Sequence, residues 1–369
     1  MTVRIEPVEP AEPSEPSAAE PSAAEPSAAG PSAAGPSAAG PSATEPSAGE
    51  PFAIYGPVAG DLAAVEELLR SLQDVDFPWL GEMLEAVLGG SGKRLRPAIA
   101  LLAGRLGNYD LELLVPMAAS VELLHTATLV HDDVIDVADE RRGRPTAAAR
   151  FNNAPSVMLG DYMFAHAAEF VARTGNVRVI RNFADTLQVM ARGELSQDVA
   201  AYEYSPDVQR YLDRIYGKTA SLFATAAEGG AVLSGAPERY VEPARRFGER
   251  LGMAFQVVDD VLDFSATSEE LGKPAGSDLL AGTLTLPALL YLERYPKDNP
   301  VRRAFDGVRP RANLQRAVQE IRDSELLEES LDAGRRFADE ARAALEELPE
   351  GEPRETFERL VDFVVERRS

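Results

Sequence analysis

Apolar residues recur at helical spacing along most of this chain. The pattern runs through residues 61–73, 97–107, 111–138, 155–172, 177–198, 206–234 and 238–264, where positions i, i+3, i+4 and i+7 are repeatedly apolar. Glycine and proline fall mostly between these segments, at Gly89-Gly90, Gly143–Pro145, Gly235–Pro237 and Gly272–Pro274, where they punctuate helices. Strand-like alternation is scarce. Several predicted helices are rich in alanine and exceed 20 residues, which suits a large close-packed bundle. The fold expected is therefore all-α. Helices continue beyond Thr285-Leu286-Pro287, but the segments past 310 are more charged and read as a peripheral cap.

The first fifty residues break this pattern. From about Glu12 to Glu50 a five-residue unit repeats, EPSAA drifting to GPSAA. Proline at every fifth position excludes a helix, and nothing in the unit can build a core. Residues 1–51 are expected to be a disordered, partly extended tail, and 52–369 the folded domain. The tail carries eight Glu against one Arg (Arg4), so it is acidic in its own right.

Composition narrows the function. With 369 residues and 45% apolar content, the chain can bury a sizeable core. It has no cysteine, which removes disulfides, thiolate metal sites and cysteine nucleophiles. Three histidines, His125, His131 and His166, are too few for a histidine-rich zinc site. A net charge of -23 argues against general nucleic-acid binding, which needs a basic face. No run of about 18 apolar residues predicts a transmembrane helix. The N-terminus MTVRIEPVEP lacks the apolar stretch of a signal peptide, so a cytoplasmic location is expected.

Two aspartate clusters of the same design carry the chemistry: Asp132-Asp133-Val134-Ile135-Asp136 and Asp259-Asp260-Val261-Leu262-Asp263. Both read DDxxD. On a helix, i and i+4 share a face, so Asp132 pairs with Asp136 and Asp259 with Asp263. A lone cluster of this kind is often a solvated helix face. Here both are flanked by apolar residues (Leu129, Val130, Phe255, Val257, Val258), which solvated faces rarely are. Carboxylates so crowded need compensation. Mg²⁺ supplies it, because it takes oxygen ligands and is commonly held by one or two carboxylates plus substrate phosphates. Cations lie at Gly92-Lys93-Arg94-Leu95-Arg96-Pro97, just before an apolar helix, at Arg141-Arg142-Gly143-Arg144-Pro145-Thr146, and at Lys218-Thr219. Arginine suits phosphate through paired hydrogen bonds. If the first helix continues, Arg141 and Arg142 lie one to two turns beyond Asp136.

The segment from His125 through Asp136 to Thr146 resembles the first aspartate-rich motif of the trans-isoprenyl diphosphate synthases, and Phe255–Asp263 resembles their second. Gly92–Pro97, Gly160-Asp161-Tyr162, Gly193-Glu194 and Lys218-Thr219-Ala220 match as well, in the family's order. The resemblance covers about 52–369. It implies an all-α bundle around a central apolar cavity, a homodimer, and head-to-tail condensation of isopentenyl diphosphate with an allylic diphosphate. By position it implies that Asp132 and Asp136 bind two Mg²⁺ and Asp259 a third, with Asp133, Asp260 and Asp263 supporting. It gives isopentenyl diphosphate to Lys93, Arg96, His125 and Arg142, and the allylic diphosphate to Arg141, Lys218 and Gln256, with Thr219 beside the reacting carbon. One departure stands out: many relatives have Gly-Lys-x-Thr where this chain has Gly282-Thr283-Leu284-Thr285, so Thr283 replaces a lysine, as in medium- and long-chain members.

Product length is expected from the residues before Asp132. One turn back are Ala127 and Thr128, both small; two turns back are Leu124 and His125. A turn rises about 5.4 Å, near one isoprene unit, so growth to about C30–C45, a quinone side-chain precursor, is expected, with geranylgeranyl diphosphate as the alternative. Leu124, Met163 and Phe164 are candidate lower walls. A terpene cyclase would share the fold but not the second diphosphate site. A phosphohydrolase on His131-Asp132 lacks the further histidine it needs. A dissimilar second subunit, which some long-chain synthases require, stays open.

Overall fold

The computed structural model describes residues 53–90, 92–141, 143–200, 202–265 and 275–367. The expected tail 1–51 and the breaker Gly272–Pro274 lie outside the described residues. After a 3₁₀ segment, Ala53–Val58, the chain forms α1 (Leu62–Ser71), α2 (Pro78–Leu88), α3 (Leu95–Gly104) and α4 (Leu111–Ile135). A two-residue hairpin, β1 (Glu140–Arg141) with β2 (Arg144–Pro145), is antiparallel, with Arg141 opposite Arg144. Then follow α5 (Ala147–Phe151), α6 (Asn153–Arg173), α7 (Val177–Ala200), α8 (Val208–Ile215), a π-helical turn (Tyr216–Ala220), α9 (Ser221–Leu233) and α10 (Glu238–Ser265). The remaining described helices are α11 (Ser277–Leu280), α12 (Leu286–Arg294), α13 (Pro300–Phe305), α14 (Pro310–Arg322), α15 (Leu326–Leu345) and α16 (Glu352–Glu366). The all-α expectation holds.

Helix α3 is the centre of the bundle. All ten of its residues are buried, among them Leu101 and Leu102, and it packs between α4 and α9. A helix apolar on every side has no solvent face to offer. Each fully buried leucine contributes about 2 kcal/mol. Helix α4 starts where the Asp110 side chain accepts from the Glu112 N–H, filling one of the orphan donors of a helix start. By length and composition α4 could cross a membrane, contrary to the sequence expectation, yet 61% of its apolar window is buried inside the protein. It is a core helix, packed on α6, α3, α9 and α1.

Two sequence expectations change, and one helix goes unanticipated. The segment 206–234 is not one helix: the π turn at Tyr216–Ala220 divides it. Helix α2 had no clear periodic signal. The segments past 310 are not a peripheral cap, since α15 packs extensively on α10. Ser330, Gly334, Ala338 and Ala341 form a buried stripe on α15; such small side chains score weakly in a hydropathy pattern yet let two helices approach closely.

Candidate active site

The first aspartate cluster ends α4. Most of α4 from Leu114 to Leu124 is buried, but partial exposure appears along His125, Thr128, Leu129 and Asp136, with Asp132 among them at 8%. These positions are three, four and seven apart, so they share one face. That stripe is the partly exposed side of the C-terminal half of α4, and the cluster stands at its end. Asp136 is the C-cap, its N–H bonded to the Asp132 carbonyl at 2.8 Å.

The helix ends at Ile135 rather than near 138, and it does not continue to Arg141, the condition under which the sequence put Arg141 and Arg142 one to two turns beyond Asp136. Val137 takes a left-handed φ of 51° and the chain folds back into the hairpin. Thr146 fastens the return: its Oγ1 donates to the Ala138 carbonyl at 2.7 Å and accepts from the Ala149 N–H. The fold-back brings Arg141 Nε to 2.7 Å from Asp133 Oδ1. Burial raises the Asp133 carboxyl above its ordinary value and Arg141 works against that rise. Burial and the neighbouring Asp132 both raise Asp136. Arg142 lies outside the described residues.

The π turn supplies the link between the two clusters. Gly217 and Gly193 meet at 3.6 Å between the position a Cβ would take and the facing Cα, so α7 and the turn pack backbone to backbone. That contact sets Glu194 beside Lys218. Lys218 Nζ lies 2.8 Å from Glu194 Oε1 and 3.1 Å from Asp132 Oδ2. Burial disfavours the ammonium, but Asp132 and Glu194 more than offset it, and its pKa is raised. The next residue, Thr219, donates from Oγ1 to Gln256 Oε1 at 2.7 Å. Gln256 Nε2 donates to Asp260 Oδ1 at 2.9 Å, and Tyr211 Oη donates to Asp260 Oδ2 at 2.8 Å. Consecutive side chains thus reach one cluster each. π turns recur at functional sites because they shift helical register by one residue.

Within the second cluster, Asp260 is 3% exposed and its carboxyl is pushed up to about 7, first by burial and then by Asp278. Asp263 accepts from Ser277 Oγ and from the Asp278 N–H, at 2.7 and 3.2 Å, so it anchors the start of α11. Asp259 is 45% exposed and pairs at 2.8 Å with Arg367. Phe255, Gln256 and Asp259 form the partly exposed stripe of α10, the counterpart of the stripe on α4.

The basic segment before α3 divides by role. Arg94 is structural: its guanidinium binds Glu66, reaches Glu122 Oε1 at 2.8 Å and donates to the Gly90 carbonyl. Lys93 lies exposed over the Phe363 ring at 5.5 Å, and Arg96 is buried against Phe223 at 4.7 Å. His125 is half-buried on the α4 stripe. Three residues at the site had been given no role from sequence. Glu194 had been matched only as part of a motif. Tyr211 lies on α8, ahead of the π turn that carries Lys218, and its sequence gave no sign of the contact with Asp260. Arg367 gave no signal, being one of two arginines at the end of an amphipathic segment. A separate groove of about 520 Å³ opens between α8, α12 and α15, with none of the candidate residues in its lining.

Among the described residues, no three carboxylate or imidazole side chains gather into a metal cage of their own. The donor set is nevertheless all hard oxygen, in pairs, and already neutralised by Lys218, Arg141 and Arg367. Such a set suits a divalent cation that draws its other ligands from water and a bound diphosphate.

The polyprenyl synthetase family model matches residues 77–321. The chain is 42% identical over 318 residues to heptaprenyl diphosphate synthase component 2 of Geobacillus stearothermophilus, covering 85% of this chain and 98% of that protein. Among solved structures, the polyprenyl synthase of Caulobacter crescentus, complexed with calcium and isoprenyl diphosphate, superimposes with a TM-score of 0.81 at 36% identity, over 88% of this chain and 100% of that one. A decaprenyl diphosphate synthase from Rhodobacter capsulatus gives 0.79 at 37% identity, over 86% and 99%. The chain is a prenyltransferase of the polyprenyl synthetase family.

Proposed function

We propose that the protein condenses isopentenyl diphosphate head-to-tail with an allylic diphosphate to make a polyprenyl diphosphate. The observation that carries this reading is the continuous path from Asp132 through Lys218, Thr219 and Gln256 to Asp260, which ties two carboxylate clusters to one cationic centre. Such a site holds a diphosphate through shared charge. Mg²⁺, about three ions with Asp132, Asp136 and Asp259 as ligands and Asp133 supporting, would neutralise the diphosphate.

Chemistry then follows from the chain's own groups. The allylic C–O bond breaks heterolytically, leaving a delocalised carbocation and diphosphate. Lys218, Arg141 and Gln256 face the departing charge, and fixed donors aimed at developing charge are usually the largest catalytic term. Thr219 lies beside the reacting carbon. Lys93, Arg96, His125 and Arg142 hold isopentenyl diphosphate, whose alkene attacks that carbon. A proton is then lost from the adjacent carbon, with an oxygen of the departed diphosphate as its acceptor. The apolar residues of α4 before Asp132, Leu124, Ala127 and Val130, keep water from the carbocation.

Small residues at Ala127 and Thr128 leave room for a chain of about C30–C45, on a rise of about 5.4 Å per turn. The names of the heptaprenyl and decaprenyl relatives support a medium-to-long product. We place the enzyme in the cytoplasm as a homodimer, with 52–369 as its catalytic domain and the Pro/Ala/Ser/Glu repeat of 1–51 outside it. The test is incubation of the purified chain with Mg²⁺, labelled isopentenyl diphosphate and each allylic primer, followed by sizing of the dephosphorylated alcohols. No elongation with any primer refutes the reading for the single chain. Activity that appears only on adding a dissimilar subunit, as the name of the Geobacillus component 2 suggests for that protein, would replace the homodimer.

A further inference from the structure

Arg367, the last described residue, reaches back to the second aspartate cluster. Its Nη2 stands 2.8 Å from Asp259 Oδ1 and donates to the Phe255 carbonyl at 2.6 Å. The guanidinium lies 3.8 Å above the Phe255 ring. Its side chain is only 5% exposed, and its Nε is buried with no hydrogen-bond partner among the described residues.

Arg94 provides the comparison within the same molecule. It is buried to a similar extent, yet Nε, Nη1 and Nη2 all have acceptors, on Glu66, Glu122 and Gly90. A buried guanidinium with an acceptor on every nitrogen is built to stay. Arg367 meets Asp259 through one nitrogen and leaves a buried N–H unmet, which costs stability. A contact so incompletely satisfied gives way readily to a better cation.

We infer that Arg367 is a resident counter-cation for Asp259: it holds the carboxylate in the absence of metal and must release it when a divalent cation binds. The inference rests on the proposed role of Asp259 as a metal ligand. Two cations cannot share that carboxylate oxygen without strong repulsion, so the guanidinium and the metal compete. Arg367 is a positioning residue, and it sets how much metal the site needs before it fills.

The test is a titration of the full chain with Mn²⁺ alone, free Mn²⁺ being read by electron paramagnetic resonance. The proteins are wild type, Arg367→Gln, Arg367→Lys, Asp259→Asn and the Arg367→Gln/Asp259→Asn double variant. Arg367→Gln binds one Mn²⁺ about tenfold more tightly than wild type, since a competing charge is gone. Arg367→Lys keeps the charge and stays near wild type, which separates electrostatics from damage to the end of α16. The gain vanishes when Asp259 is Asn. Equal or weaker binding by Arg367→Gln overturns the inference while leaving Asp259 as a ligand. If Asp259→Asn binds Mn²⁺ as well as wild type does, the metal role of Asp259 fails, and the inference fails with it.

Discussion

Lys218 stands 3.1 Å from Asp132, across from an element 86 residues earlier in the chain, and 2.8 Å from Glu194. One ammonium group therefore ties α4, α7 and the π turn together. Its removal leaves two carboxylates without their cation and takes a donor from the proposed diphosphate site. Lys218→Ala is expected to lower kcat by about 10²–10³-fold, the usual loss for one preorganised donor. The far-ultraviolet circular dichroism should stay at the wild-type level; a variant with unchanged kcat refutes the role.

Tyr211 donates its hydroxyl to the buried Asp260 at 2.8 Å. Phenylalanine keeps the ring and removes the donor, stranding a carboxylate oxygen away from water. Tyr211→Phe should cost about 1–3 kcal/mol of stability. Urea denaturation with the slope m unchanged measures it.

Asp260 also sets a pH dependence in the metal-free protein. Its carboxyl is raised from 3.8 to about 7 by burial. Between these values the folded chain keeps a proton that the unfolded chain has released. Stability from this group is therefore fully present below the lower value and is lost as pH rises through the upper one. Asp260→Asn should flatten the fall in denaturation midpoint between about pH 5 and 7.5 relative to wild type. An identical slope in both proteins would show that the carboxyl titrates normally.

Ala127 is fully buried on α4, five residues before Asp132. On the proposed reading, in which the product grows along α4 behind Asp132, a phenyl ring there would obstruct the growing chain. Ala127→Phe should shorten the product by at least one isoprene unit of about 5 Å, the rise of one turn. Chromatography of the dephosphorylated alcohols reads the result, and an unchanged product would relocate the floor of the cavity.

Val137 holds a φ of 51° and is 80% exposed. A β-branched residue is strained in the left-handed region, and asparagine tolerates it. Val137→Asn should raise stability by about 1 kcal/mol, since little buried apolar surface is lost. A lower melting temperature would mean that the valine side chain has a contact worth more than the strain.

Several of these features were legible in the chain itself. The 3.6-residue periodicity marked α1, α4, α6, α7 and α10, and the DDxxD spacing marked Asp132 with Asp136 and Asp259 with Asp263, because both signals are local and repeat within a helix turn. Lys218-Thr219 was visible as a break in an apolar helix, though not as a π turn, since the extra residue per turn comes from packing of Gly217 on Gly193. The stop after Ile135 was missed because Val137 is a poor left-handed residue by local preference; the hairpin and Thr146 impose that conformation.

What the sequence by itself determined was helical architecture and the identity of the charged groups, since periodicity and residue type need no neighbours. What only the tertiary structure decided was who meets whom: Arg141 with Asp133, Tyr211 with Asp260, and Arg367 with Asp259 across 108 positions. Contacts of that kind depend on how helices cross, and the crossing is set by the whole core rather than by any short stretch of chain.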